Sequence, residues 1–257
     1  MSSDNASPLQ PLLPRKPGDR LHWHGLAGAA GALAIAQAAR RHDGLVLAIT
    51  ETTLAAQQLQ RELRFYLGEA LPTLTLPDWE TLPYDVFSPH QDIVSERIAT
   101  LYRLPQTRQG ILIVPVATLM QRLPPPDYLA SHSLLPAVGD RFDLDSMRAR
   151  LDQAGYRCVS EVMEHGEFAV RGSLIDLFPM GSRLPYRVDR FDDEVDSIRT
   201  FDPETQRTQE KVERIELLPA HEFPPTEADI TRFRQAYRAT FEGDPNRSLI
   251  YREVSAG

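Results

Sequence analysis

The sequence has 257 residues, of which 42% are hydrophobic and 25% are charged, as is ordinary for a globular protein with room for two domains. No apolar run approaches the roughly 20 residues that cross a bilayer. Residues 1–16 lack the basic, apolar and small-residue segments of an export signal, so we expect a cytoplasmic protein. The single cysteine, Cys158, excludes an internal disulfide. The alternation around it, Tyr156–Val162, predicts that it packs as a small apolar residue.

The net charge of −8 is unevenly spread along the chain. Residues 130–217 hold 18 acidic and 12 basic residues, whereas residues 1–129 hold 12 and 11. A nucleic-acid-binding surface is usually basic. The composition therefore opposes a DNA-binding module, which we keep as an alternative function.

The first half of the chain alternates between helices and apolar strands, which predicts a parallel α/β sheet. Residues 1–19 are rich in Ser, Pro and Asn and are predicted to be a flexible lead-in. The continuous apolar run Leu45–Thr50 is typical of a strand buried on both faces. Thr52 or Thr53 is suited to cap the helix that follows, and Gly68 is suited to end it. The predicted strands are Leu21–His24, Leu45–Thr50, Leu74–Leu76 and Ile111–Val114, and the predicted helices are Ala29–Arg41, Thr53–Leu67 and Ser95–Leu104.

Three consecutive prolines, Pro124–Pro126, interrupt this pattern and indicate a domain boundary. After them, short alternating segments predict a mainly antiparallel domain with one helix, Asp145–Ala154, which Gly155 ends. A sequence similar to a capping box, Thr226–Asp229, predicts a last helix to about Phe241. The end of the chain has no closing pattern, so we expect it to be part of something larger. The predicted strands are Tyr156–Val162, Glu167–Val170, Leu174–Phe178, Tyr186–Phe191, Val195–Phe201 and Lys211–Leu217.

Two segments of this second region suggest a recognition surface. Arg171 precedes Gly172, which can adopt a positive φ in a tight turn and so direct the guanidinium outward. In Tyr186–Phe191, the period of two places Arg187, Asp189 and Phe191 on one face. Arginine and aromatic side chains are the usual anchors of protein interfaces. The alternative is an ordinary amphipathic sheet with a solvated charged side.

A glycine-rich loop near the start has part of the pattern of a phosphate-binding P-loop. The positions concerned are Gly25, Gly28, Ala30, Gly31 and Ala32. Aligned from Gly25, the second glycine position is Ala30, the lysine position is Gly31 and the hydroxyl position is Ala32. The only lysines of the chain are Lys16 and Lys211, outside this loop. Since the cation and the metal ligand are missing, we expect the loop shape without nucleotide hydrolysis.

Other patterns of reactive residues are weaker. His22 and His24 share one face of a predicted strand, but the remaining histidines are scattered, so no metal site is predicted. The segment Ser88–Asp92, with Asp85, has the residue types of a hydrolase and is interpreted as loop and helix-cap residues. The acidic run Asp192–Glu194 is a magnesium site or a solvated hairpin turn, and the turn is favoured. We predict no catalytic residue, metal or cofactor.

Several longer strings carry a family resemblance. They are Asp78–Asp85, Ser88–Asp92, Leu119–Arg122, Met163–Glu167 and Leu218–Pro224. From about Leu21 onward the chain resembles the N-terminal, UvrB-like region of the bacterial transcription-repair coupling factor (Mfd). The resemblance implies an α/β subdomain with a degenerate P-loop at 20–125, an inserted α+β domain at 126–217, and the incomplete start of a second α/β subdomain at 218–257.

The resemblance also implies a function. The inserted domain of this family binds UvrA, and the matching contact residues are Arg171, Arg187 and Phe191, with Asp189 a weaker candidate. The module recruits UvrA, a subunit of nucleotide excision repair, to stalled RNA polymerase. In the full-length ATP-dependent translocase, the C-terminal domain covers this surface, and polymerase and DNA bind to other parts. The DNA-probing hairpin of UvrB has no room between Phe87 and Ser95, so damage verification is not expected. A nucleotide-hydrolysing helicase-like domain is the remaining alternative.

Overall fold

The computed structural model describes residues 7–81, 87–223 and 227–256, and the chain divides into two compact units. The first unit contains Met1–Trp79 and Ala99–Arg122, and the second contains Glu80–Ile98 and Leu123–Gly257. The first holds a three-stranded parallel sheet and the second a six-stranded, mostly antiparallel sheet. The expected fold class, a parallel α/β part together with a mainly antiparallel α+β part, is confirmed.

The sheet of the first unit has the order β1-β3-β2, and all of its pairings are parallel. Alanines of the first helix pack against the second helix and against the apolar residues of β3, forming the core of this unit. The second helix begins where the Thr52 hydroxyl accepts a hydrogen bond from the Ala55 amide at 3.1 Å, and it ends at Gly68, whose φ is +54°. Both the cap at Thr52 and the end at Gly68 agree with the sequence prediction. The elements are α1 Ala30–Arg41, β1 Leu45–Thr50, α2 Thr53–Leu67, β2 Thr73–Thr75, α3 Gln91–Arg103, β3 Gly110–Pro115 and the 3₁₀ turns Leu104–Gln106 and Thr118–Met120.

Three expectations for this unit need correction. Residues 21–24 form no strand. Strand β1 is not buried on both faces: Ala48 is buried on one face, whereas Leu47 and Ile49 on the other face are exposed. Helix α3 begins one turn earlier than predicted, and its residues up to Ile98 belong to the second unit.

The lead-in is anchored rather than free from Ser7 onward; residues 1–6 lie outside the described part. Pro11 is buried, and its carbonyl accepts a hydrogen bond from the Arg41 guanidinium at 3.0 Å. The carbonyl of Leu12 accepts another from the Trp23 indole at 3.1 Å.

The sheet of the second unit has the order β4-β5-β6-β7-β8-β9. Only the β4–β5 pair is parallel. One face buries Ile175, Val188 and Ile198, and the other buries Ala169 and Phe201 in a small cluster with Val162 and Phe178. The elements are α4 Pro126–Ser131, α5 Leu144–Gln153, β4 Arg157–Cys158, β5 Glu167–Arg171, β6 Leu174–Leu177, β7 Tyr186–Phe191, β8 Glu194–Phe201, β9 Thr208–Val212, α6 Glu227–Thr240, the 3₁₀ turn Pro245–Arg247 and α7 Leu249–Ala256.

The ends of this sheet differ from the sequence prediction. Strand β4 has two residues rather than seven, because the chain then leaves the sheet edge, and Cys158 is exposed instead of packed. Strand β9 ends at Val212, and only isolated bridges continue to Leu217. Helices α4 and α7 were not predicted. Thr226, the expected helix cap, lies outside the described residues.

Candidate partner-binding surface

Arg171 is placed by the hairpin of β5 and β6. A two-residue connection joins the strands, and its first residue, Gly172, has a φ of +62°, as a type II′ turn requires. Arg171 and Leu174 form the last pair before the turn. The Arg171 side chain is 47% exposed, and its Nη2 lies 3.7 Å from a carboxylate oxygen of Asp176. The guanidinium is therefore at the surface and only loosely held.

Arg187 lies on β7, directly opposite Asp176 on β6. Its Nε donates to Asp176 Oδ1 at 2.7 Å and its Nη2 donates to Oδ2 at 2.8 Å. Its Nη1 donates to the carbonyl of Gln206 at 3.2 Å, and its guanidinium carbon lies 4.8 Å from the centre of the Phe201 ring. The hydrogen bond with Asp176 is the main cause of the raised pKa of Arg187. Arg187 is thus held by three residues, Asp176, Gln206 and Phe201.

Strand β7 separates apolar and polar side chains as its alternation predicted. Val188 and Arg190 are buried on one face, while Arg187, Asp189 and Phe191 alternate on the other. The Phe191 side chain is the most exposed of the three, at 81%. Since paired residues of adjacent antiparallel strands share a face, Arg171 and Asp176 lie on the same face as these residues. The sheet therefore brings all four predicted contact residues to one side.

Hydrogen bonds from Arg190 hold the tip of the β7–β8 hairpin beside Phe191. The buried Arg190 guanidinium donates to the carbonyls of Phe142 at 3.1 Å and Asp192 at 2.8 Å. Asp192 has a φ of +58° and forms the turn with Asp193, which agrees with a hairpin turn for this acidic run. A cleft of about 300 Å³ opens beside Phe191, lined otherwise by the charged residues Arg141, Asp192, Asp193, Glu194 and Asp196.

Asp176 was not among the predicted residues, yet in the described part of the chain its carboxylate lies within 3.7 Å of both arginines. The sequence does contain a signal for Asp176, because it is the single carboxylate in the apolar strand Leu174–Phe178. A buried charge costs several kcal/mol unless it is paired, so such a residue needs a cationic partner. The sequence also placed Arg190 on a strand face without indicating that its guanidinium braces the hairpin tip.

The glycine-rich loop of the first unit precedes α1. Gly25 and Gly28 have positive φ angles of +72° and +55°. Ala30 and Gly31 form the first turn of the helix, and Ala32 is buried on its core side. Helix α1 has no capping side chain and no acidic residue in its first turn. Residues 7–24, the described part of the chain before the loop, contain no strand, whereas a P-loop follows a strand.

The other reactive patterns do not form a catalytic arrangement in the described part of the chain. His90 Nδ1 lies 3.5 Å from Asp92, but Asp92 also bonds to His165 Nδ1 at 2.8 Å. Ser88 has no hydrogen bond to either residue, and Asp85 lies outside the described residues. His22 and His24 stack at 5.9 Å between ring centroids. Within residues 7–81, 87–223 and 227–256, no group of three or more His, Cys, Asp or Glu is arranged to hold a metal ion.

None of the described helices is long and apolar enough to cross a membrane.

The four predicted contact residues fall inside a recognised domain. Residues 135–223 match the family model of the UvrB interaction domain. This match covers strands β4–β9, and therefore the whole face that carries Arg171, Arg187 and Phe191.

Curated relatives match over a longer stretch. The chain is 52% identical to the transcription-repair-coupling factor of Escherichia coli over 95% of its own length and 21% of that protein. The corresponding figures are 47%, 97% and 22% for Haemophilus influenzae, and 36%, 86% and 19% for Myxococcus xanthus. The chain thus spans about a fifth of the length of these relatives. Over most of its length it is similar to the N-terminal, UvrB-like region of transcription-repair-coupling factors, which confirms the resemblance seen in the sequence.

Proposed function

We propose that this chain is a non-catalytic recruitment module that binds UvrA, the excision-repair subunit, in transcription-coupled DNA repair. Phe191 inserts into the partner as an apolar anchor. Arg171 and Arg187 bind its anionic groups, and Asp189 borders the contact. The module thereby brings UvrA to a site of stalled transcription.

One observation carries this proposal. A phenylalanine that is 81% exposed shares a sheet face with a charged cluster of two arginines, within residues that match a UvrB interaction domain. An exposed phenylalanine costs hydrophobic free energy that burial against a partner would recover. Rigid strands, rather than loops, position these side chains, so little conformational freedom would be lost on binding.

Isothermal titration of UvrA with the wild-type chain and with Phe191→Ala, Arg171→Ala and Arg187→Ala tests the proposal. Loss of a central anchor costs on the order of 2 kcal/mol or more, or about 30-fold in Kd. Phe65→Ala is the matched control, because Phe65 is 83% exposed on α2 in the other unit. If all three variants bind within about twofold of wild type, as ordinary surface changes do, the assignment fails.

We further propose that the module does not hydrolyse nucleotides. The lysine and hydroxyl positions of the loop are Gly31 and Ala32, so the loop offers neither a cation for the terminal phosphates nor a side-chain ligand for magnesium. A titration with ATP and magnesium should show no saturable binding at millimolar nucleotide. Saturable binding with phosphate release would support the alternative, a helicase-like hydrolase.

The remaining proposals concern the longer protein, an ATP-dependent DNA translocase. There the C-terminal domain covers the surface around Phe191 until the motor engages stalled polymerase, and polymerase and DNA contact other parts. The 257-residue chain should then bind UvrA more tightly than the full-length protein. Equal affinities in parallel titrations would argue against this covering.

A further inference from the structure

The surface around Arg171 and Arg187 is organised by a carboxylate that lies beneath it. The Asp176 side chain is only 3% exposed, yet it is the acceptor for two guanidinium nitrogens of Arg187 at 2.7 and 2.8 Å. Arg171 Nη2 approaches the same Oδ2 atom at 3.7 Å. Two cations that would otherwise repel each other thus share one buried anion.

The sheet order explains how one residue can hold both arginines. Strand β6 lies between β5 and β7, so Asp176 stands between the strand that ends in Arg171 and the strand that carries Arg187. Arg187 is fixed further by Gln206 and the Phe201 ring, whereas Arg171 has no other hydrogen bond or ion pair among the described residues. Asp176 therefore draws the otherwise loosely held Arg171 guanidinium toward the same carboxylate that fixes Arg187.

We propose that Asp176 is a positioning residue for UvrA binding: it orients both guanidinium groups so that an anionic group of the partner meets them together. This inference rests on the proposed recruitment function. Asp176 itself, being buried, does not contact the partner. Planar guanidinium groups bind carboxylates with fixed geometry, so their orientation decides how many hydrogen bonds a partner carboxylate receives.

A second role for Asp176 would change the affinity for UvrA in the opposite direction. Its charge also cancels one of the two positive charges that an acidic partner would meet. If cancellation were its main effect, removing the charge would tighten UvrA binding. If positioning is its main effect, the same change weakens binding although the surface becomes more positive.

The experiment is isothermal titration of UvrA with the 257-residue chain carrying Asp176→Asn or Asp176→Glu. Asparagine keeps the size but turns an amide toward the Arg187 donors, and we expect roughly tenfold weaker binding, since a charge-assisted hydrogen bond is worth on the order of 1.4 kcal/mol or more. Glutamate keeps the charge but displaces it by one methylene, and we expect weaker binding here too. Charge cancellation alone predicts no change for Asp176→Glu.

Glu167→Gln is the matched control. Glu167 is another buried carboxylate of the same sheet, on β5, and accepts a hydrogen bond from Arg157 at 2.8 Å. We expect this variant to bind UvrA within about twofold of wild type. A thermodynamic cycle separates positioning from a general loss of stability. In a chain that already carries Arg171→Ala and Arg187→Ala, no guanidinium is left for Asp176 to position, so Asp176→Asn should have no further effect on the Kd.

Unchanged or tighter binding by both Asp176 variants overturns the proposal, as does an equal loss in Glu167→Gln. In those cases a loss of binding in Phe191→Ala would leave the recruitment function standing. If the wild-type chain does not bind UvrA, the recruitment function fails, and the role of Asp176 fails with it.

Discussion

Arg97 and Glu222, 125 positions apart in the sequence, form a buried ion pair in the second unit. The Arg97 side chain has no exposed area, and its Nη2 donates to Glu222 Oε2 at 3.1 Å while Nε donates to Oε1. Arg97 belongs to α3, and Glu222 follows the last bridge of the sheet region. The pair therefore joins the middle of α3 to the far end of the interaction domain.

Removing one member of this pair should destabilise the second unit strongly. In Arg97→Met, the buried Glu222 carboxylate loses its cation, and we expect the free energy of unfolding to fall by about 3–5 kcal/mol. Urea denaturation followed by far-UV circular dichroism measures this change. Arg97→Met with Glu222→Leu should recover part of the loss, because the buried carboxylate is then removed together with its cation. A single variant as stable as wild type would contradict the importance of the pair.

A fragment that begins at Leu123 should be less stable than the whole chain. It lacks three contacts of the second unit that α3 provides: the Arg97–Glu222 pair, the Asp92–His165 hydrogen bond at 2.8 Å, and the Ser95 hydroxyl that accepts from Gly181 at 2.8 Å. We expect a lower melting temperature, and partial recovery when a peptide of residues 87–98 is added. A scrambled peptide is the control, and an unchanged melting temperature would show that these contacts are dispensable.

Gly155 should tolerate alanine less well than Gly172. Both have positive φ angles, +85° and +62°, so alanine is strained at either position. An added Cβ has free space at Gly172 but would collide with the ring of His221 at Gly155. We expect a cost of about 1 kcal/mol for Gly172→Ala and about 2–3 kcal/mol for Gly155→Ala. Chemical denaturation measures both, and His221→Ala combined with Gly155→Ala should reduce the difference.

His221 should make stability depend on pH in the acidic range. Burial lowers its pKa from the usual 6.5, so the folded protein favours the neutral imidazole, while the unfolded chain binds the proton more readily. The contribution of neutral His221 to the free energy of unfolding is therefore fully present above pH 6.5. It declines as the pH falls toward the pKa of His221 in the folded protein.

The measurement for His221 is the melting temperature between pH 7.5 and pH 5, compared between wild type and His221→Asn. We expect the wild-type melting temperature to fall more steeply on acidification than that of the variant. His22→Asn is the control, because His22 is exposed in the other unit. Parallel curves for wild type and His221→Asn would show that another group causes the acid dependence.

Local sequence signals predicted most of the elements but not the contacts between them. The cap at Thr52, the end at Gly68 and the alternation of Tyr186–Phe191 are short-range effects, and the structure shows each of them. Arg97 and Glu222 left no local signal, because each stands in an ordinary polar context and the pairing spans most of the chain. Ion pairs of this kind become visible only when the fold is known.

The errors have a related cause. An apolar run such as Leu45–Thr50 indicates hydrophobicity but not whether both faces of the strand are covered. The exposure of Leu47 and Ile49 was therefore not foreseen. Likewise, the alternation of apolar residues in Tyr156–Val162 continues after the chain has left the sheet at the end of β4, so it predicted too long a strand. The candidate contact residues came from alternation and from resemblance together, whereas Asp176 required the cross-strand register.

The uncovered side of β1 has a practical consequence for work with this polypeptide. In the described part of the chain β1 pairs only with β3, and an edge strand that also exposes two aliphatic side chains can pair with the same strand of another molecule. Concentrated samples of the 257-residue chain should therefore self-associate through Leu47 and Ile49, and titrations at high concentration would then report aggregates. Placing lysine at position 47 would discourage such sheet extension while leaving the interaction domain untouched.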